Sequence, residues 1–183
     1  MKLHATALLL IAPLALAACG GATSTPTDAA HSGSVASIEV PLLARSGSKL
    51  SGAATFTQVK GGVDVKVHVA GAPPGTIATH VHETGDCSAP DGTSAGGHFN
   101  PEGHPHGMPP AVERHLGDLG NIDVGPDGTG STEVVVMGAN LEANDPDSFL
   151  NRAIIVHEKR DDGGQPTGNA GGRIGCGVIS AHK

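Results

Sequence analysis

Eleven histidines are many for a chain of 183 residues, and their spacing is the first hint of chemistry. His80 and His82 stand two apart in Thr79-His80-Val81-His82-Glu83. On a strand, residues two apart project from one face, so the two imidazoles can converge on a single metal ion. Downstream come His98, His106 and His115, followed by Asp118. Imidazole suits zinc and copper, and three histidines with one carboxylate complete a tetrahedral zinc shell. His157 closes the apolar run Ile154-Ile155-Val156, where a strand leaves the core. Taken singly, each of these is an ordinary surface or strand-end histidine.

Positioning such groups requires a rigid frame, and the surrounding sequence reads as strands. Val63, Val65, Val67 and Val69 alternate with Asp64, Lys66 and His68, the pattern of a half-buried strand. Ile38, Val40 and Leu42 alternate in the same way, with Pro41 suggesting an edge position. Further strands are expected over 50–60, 77–82, 119–124, 132–137, 153–157 and 175–180. About eight short strands separated by Gly and Pro turns indicate an all-β domain, an eight-stranded β-barrel or sandwich. Two stretches rich in Gly do not fit strands, 83–113 and 158–172. Each begins where a His-bearing strand ends, and loops of that length in a compact domain are usually functional. Residues 140–149 suit one short helix or an irregular turn.

Composition limits the rest. With 28 Gly, 13 Pro, three Phe and neither Trp nor Tyr, the core must rest on Val, Ile, Leu and Ala. A formal net charge of −7 argues against nucleic acid or an anionic membrane surface as partner. It also means that an anionic substrate would need a local positive site.

The start of the chain reads as a segment for export. Met1-Lys2 precedes an apolar run over 5–16, too short to span a bilayer, so residues 1–18 are expected to be a signal peptide. The run ends in Leu16-Ala17-Ala18-Cys19, which resembles the lipobox of bacterial lipoproteins. That resemblance implies cleavage before Cys19, a lipid on Cys19 and a periplasm-facing anchor in the cell envelope. Gly20, not Asp, follows, so there is no inner-membrane retention signal by the rule for such lipoproteins. Residues 19–34 then form a lipidated tether with almost no bulky apolar residue. With Cys19 removed, Cys87 and Cys176 remain, and an oxidising compartment would pair them. Closing so long a loop stabilises by about 4–5 kcal/mol in the chain-entropy model.

Five separated segments then share one resemblance. They are Thr79-His80-Val81-His82-Glu83, Gly96-Gly97-His98-Phe99-Asn100-Pro101, Arg114 to Asn121 (RHLGDLGN), Val156-His157-Glu158 and Gly168 to Ile179 (GNAGGRIGCGVI). All resemble the Cu,Zn superoxide dismutase family and occur in its order, covering residues 35–183. The resemblance implies a Greek-key barrel and an enzyme that turns superoxide into dioxygen and hydrogen peroxide by copper redox cycling, with zinc as structural partner.

It implies copper ligands at His80, His82, His98 and His157, and zinc ligands at His98, His106, His115 and Asp118. His98 is the bridging imidazolate. His104 competes with His106, but the distance from His98 and the following Gly107 favour His106. By the same resemblance, Asp161 hydrogen-bonds a ligand of each metal, Arg173 guides the substrate anion, Thr167 faces it, and Cys87 and Cys176 form the disulfide. His4, His31, His68 and His182 are expected to have no function.

The chain departs from the family pattern in places. Cys87 lies only five residues after His82, as in the bacterial branch, whereas HFNP and RHLGDLGN look eukaryotic. The branches differ in their interface, which leaves monomer or homodimer open. The second loop is short and lacks the Glu/Lys cluster, so Lys159 and Arg160 become the candidates for long-range guidance. Three other classes compete with the enzyme. A copper store needs ligands but no anion-guiding Arg173 or Thr167. A copper-only protein would lack zinc ligands, and an adhesion-type sandwich would make the histidines decoration.

Overall fold

The computed structural model describes Lys2 and residues 37–181. Apart from Lys2, the expected signal peptide, Cys19, the tether, His4, His31 and His182 lie outside the described residues. Eight strands follow one another: β1 (Ser37–Ala44), β2 (Ser51–Val59), β3 (Gly62–Ala70), β4 (Gly75–His82), β5 (Asp118–Val124), β6 (Gly130–Met137), β7 (Arg152–His157) and β8 (Arg173–Ile179). They close into an antiparallel barrel in the order β1-β2-β3-β6-β5-β4-β7-β8, the crossovers β3–β6 and β4–β7 making it a Greek key.

The valines of β3 show why the barrel forms. Val63, Val65, Val67 and Val69 are all buried, while Lys66 and His68 face solvent. Burying side chains of this kind stabilises by about 1.5–3 kcal/mol each. The chain's three phenylalanines meet in the same core. The Phe149 ring lies edge-on to Phe56 at 5.9 Å and to Phe99 at 6.1 Å. Phe99 directly follows His98, so the core holds one side of a peptide unit whose other side carries a candidate ligand.

The strand that bears His80 and His82 is buried from Ile77 to His82 on both faces. Ile77 and Val81 join the barrel core, and the histidines project from the opposite face, beneath the two long loops. A smaller cluster of Ala95, Ala153, Ile155 and Cys176, with Cys87 against it, packs the first loop onto that outer face. Cys87 and Cys176 form the disulfide there, with Cα atoms 5.9 Å apart.

The barrel is closed, yet Pro41 keeps the edge-like position that its sequence suggests. β1 meets β8 only through Leu43 and Ala44, so at Pro41 the strand is laddered to β2 alone and the missing N–H is tolerated. Of the two forms expected for residues 140–149, the irregular turn is the one that occurs, with a single bridge between Asn140 and Ser148. Asp145 accepts from Asn140 and from the Asp147 amide, so side chains there satisfy what a helix ladder would.

Candidate metal centre

Two breaks in register set the ends of the ligand-bearing strands. Between Thr79 and His80 the β4–β5 pairing shifts, which places His80 opposite Asp118. Between Val156 and His157 the β7–β8 pairing shifts, which places His157 opposite Arg173. Bulges of this kind re-aim side chains beside functional sites. The first loop is then pinned across the barrel end by three backbone hydrogen bonds. Val81 N–H donates to Gly117, Gly117 to Phe99, and Phe99 to Val81, at 2.8, 2.9 and 2.9 Å. The three amides flank His80, His82, His98 and Asp118 in sequence.

The histidines gather into two groups that share one member. His80, His82, His98 and His157 each offer a nitrogen within 4.8 Å of the others, and so do His98, His106 and His115 with a carboxylate oxygen of Asp118. All seven residues are buried. His98 lies between the groups, its ring 4.1 Å from that of His80 and 5.4 Å from those of His106 and His115. His104 stays outside and bonds Glu102. His68 is exposed and bonds Ser131.

These residues fit metal ions. His80 Nδ1, His82 Nε2, His157 Nε2 and His106 Nδ1 are buried and have no hydrogen-bond partner. Their opposite nitrogens are engaged. His82 Nδ1–H donates to Gly96 at 2.9 Å, and His157 Nδ1–H to Gly171 at 3.2 Å. The free nitrogen of each is therefore the one with a lone pair. In the second group, Asp118 stands 2.9 Å from His98 Nδ1, 3.0 Å from His106 Nδ1 and 3.3 Å from His115 Nδ1. A tetrahedron with ligand bonds near 2.0–2.1 Å has edges of about 3.3 Å, so these separations suit zinc.

Asp161 joins the groups. One oxygen accepts from His80 Nε2–H at 2.8 Å and the other from His106 Nε2–H at 3.0 Å. It therefore fixes the tautomer of one imidazole from each set. Burial would raise its carboxyl, but the bonds from His80, His106 and the Gly163 amide hold it well below the usual carboxylate range. Asp118 behaves alike. Burial opposes its charge, yet His98 and the Gly107 amide bring its carboxyl below the ordinary value. Burial lowers His80 to about 4, His82 to about 2 and His157 to about 3, so all three are neutral and ready to ligate at neutral pH.

A cavity of about 190 Å³ opens on the shared imidazole. His82, His98, His157, Thr167 and Arg173 line it. Arg173 is half-buried, and two of its N–H groups donate to the carbonyls of Gly92 and Gly96 at 2.7 and 2.6 Å. Lys159 is exposed and sits 3.8 Å from Glu158; Arg160 is exposed as well.

Several supporting residues were invisible to sequence reasoning. Asn121 clasps the backbone of Asp161 from both sides, accepting from its amide at 2.9 Å and donating to its carbonyl at 3.0 Å. Gln165 does the same for His106, at 3.1 and 2.7 Å. Arg114 donates to the carbonyl of Asp118. Asn121 closes the RHLGDLGN segment, but nothing in spacing marks an amide that binds backbone 40 residues away.

Comparison with known proteins agrees with this geometry. Residues 50–179 match the family model described as copper/zinc superoxide dismutase. A crystal structure of a SOD-like protein from Bacillus subtilis is 33% identical, with a TM-score of 0.68 over 77% of this chain and 97% of that one. A double mutant of a SOD-like protein from the same organism gives 33%, 0.69, 78% and 97%. The clock protein EA4 is 40% identical, with a TM-score of 0.71 over 80% of this chain and 94% of that one.

Proposed function

Because this chain belongs to the copper/zinc superoxide dismutase family, we propose that it disproportionates superoxide to dioxygen and hydrogen peroxide. His80, His82, His98 and His157 would hold copper, and His98, His106, His115 and Asp118 would hold zinc. What carries the proposal is one imidazole, His98, shared by both groups and lining a cavity that also presents a guanidinium. Copper supplies the one-electron oxidation and reduction that no side chain here can perform, and zinc, which has no redox chemistry, supplies fixed charge.

The chain's own residues supply the rest. Arg173 is a permanent cation whose position is set by the Gly92 and Gly96 carbonyls, so it can bind and orient a small anion against His82, His98 and His157. Thr167 adds a hydroxyl on the same wall. His98 Nδ1 lies on the Asp118 side, so Nε2 is the atom able to take up a proton and hand it to the product. A cavity of this size admits a small anion such as superoxide.

The test is metal analysis and a superoxide assay on the purified protein. The expected result is one copper and one zinc per chain with fast dismutation. Arg173→Ala should keep both metals and lose roughly tenfold or more in rate, the worth of one charge-assisted hydrogen bond, about 1.5–3 kcal/mol. Full metal loading without turnover would instead mark a copper-holding protein.

The reading of location is also a proposal, supported by the lipobox-like Leu16-Ala17-Ala18-Cys19: an exported domain tethered to the envelope membrane by a lipid on Cys19. Cys19→Ser should release the protein from the membrane fraction or leave it unprocessed. Unchanged fractionation would contradict the anchor.

A further inference from the structure

The turn between β1 and β2 reaches the site from a direction its sequence does not announce. Arg45 directly follows β1, where a charged residue is ordinarily a solvated surface group. Here it is half-buried, and its Nε and Nη2 both donate to the carbonyl of Cys87, at 3.0 and 2.5 Å. Its third nitrogen, Nη1, donates to Ala44 at 2.7 Å. The Arg45 amide donates to Ile174 at 2.9 Å, and the Ser46 amide to Pro90 at 2.8 Å. Ser46 Oγ donates to the Arg173 carbonyl at 2.8 Å, and Ser48 Oγ to the Ile174 carbonyl at 2.6 Å. One short turn thus grips both the first loop and the start of β8.

The same stretch of loop holds Arg173 from its other side, through the carbonyls of Gly92 and Gly96. Gly92 is wedged between the two arginines. A Cβ there would lie 3.4 Å from Arg173 Cβ and 3.8 Å from Arg45 Cγ, and its φ of +72° disfavours any side chain. The disulfide fixes the Cys87 sulfur to β8, but the direction of the Cys87 peptide is set by the two-pronged guanidinium.

We propose that Arg45 is a positioning residue for Arg173. It fixes the height and tilt of the loop whose carbonyls aim the anion-binding guanidinium. Arg45 and the disulfide share this task, one holding the backbone of Cys87 and the other its side chain. The proposal rests on the dismutase reading only in taking Arg173 as the anion-binding group.

The experiment compares the wild type, Arg45→Ala and Arg45→Lys by two readouts that need no turnover. Azide titration of the metal-loaded protein, followed in the copper absorption band, reports anion affinity. The rate at which dithiothreitol reduces Cys87–Cys176 in the metal-free protein reports how tightly the loop is held. Arg45→Ala should weaken azide binding about three- to tenfold and speed reduction by a similar factor.

Arg45→Lys keeps the charge but loses the two-pronged grip, so it should restore less than half of either effect. If Arg45→Ala does not fold, the lysine variant carries the test, because its azide affinity must still fall at unchanged net charge. A lowered melting temperature with wild-type azide affinity and reduction rate would overturn the proposal, leaving Arg45 a stabilising clasp. Full rescue by lysine would also overturn it, making Arg45 a remote charge. A wild type that binds azide without dismuting superoxide would sink the dismutase reading alone.

Discussion

Asp161 touches no substrate, yet it sets the state of both ligand groups. Its two oxygens each accept from an imidazole N–H, one on His80 and one on His106, which leaves the opposite nitrogens bare and buried. Gly168 packs so close that a Cβ there would overlap the carboxylate. Asp161→Ala should therefore cost both sites at once. We expect affinity for each metal to fall about 10–100-fold, the usual effect of removing such a partner. Competition with chelators of graded strength measures this, and wild-type affinity at either site would show that the bridge does not orient that imidazole. His104 shows the converse. It lies two residues from His106 and has the same chemistry, but its ring bonds Glu102 and joins neither histidine group among the described residues, so position in the fold decides which histidine can ligate.

At the scale of the elements, the first loop is held by the cycle of amides from Val81, Phe99 and Gly117. Gly117 can be no other residue there, since a Cβ would stand within overlap of the Val81 carbonyl. Gly117→Ala should open the cycle, shift Asp118 and His98 apart, and destabilise the metal-free protein by roughly 1–3 kcal/mol, the cost of leaving a buried backbone group unpaired. Urea unfolding reads this directly; a variant as stable as the wild type would mean that the loop finds equivalent bonds.

The frame carrying these contacts was largely legible in the sequence. The alternation in β3 marked the inward valines, and the two glycine-rich loops stood out against it. The histidine groups were legible for the same reason, because a strand pair and ordered motifs constrain them. Less legible were features made between distant segments. Pro41 signals a stretch paired on one side, but the sequence does not show that this stretch belongs to a closed barrel whose β8 meets β1 only at Leu43 and Ala44. Asn121, Gln165 and Arg45 act by gripping backbone of another loop, and no periodicity records such a contact.

The whole molecule carries a formal charge of −7, and the cavity meets that repulsion with the half-buried Arg173. Its histidines also give the protein a pH signature. The folded values of His80, His82 and His157, about 4, 2 and 3, lie below the unfolded value of 6.5 because burial disfavours the cation. Above pH 6.5 these residues are neutral in both states and cost nothing. Below it the unfolded chain binds protons that the folded chain refuses, so stability drains away as the pH falls from 6.5 toward 4, by about 1.4 kcal/mol per pH unit for each histidine. Asp118 and Asp161, both held below the usual range, extend the loss to lower pH. Thermal melts of the chelator-treated protein between pH 7.5 and 4.5 should show a steady decline starting near 6.5; a flat profile would refute it.

The phenylalanine trio has a further consequence. In a chain with no other large ring, one of the three stands a single peptide away from the imidazole that both ion groups share. Thinning the oily interior at Phe149, on the far side of the wall from the histidines, would slacken Phe99 and be felt as looser chelation.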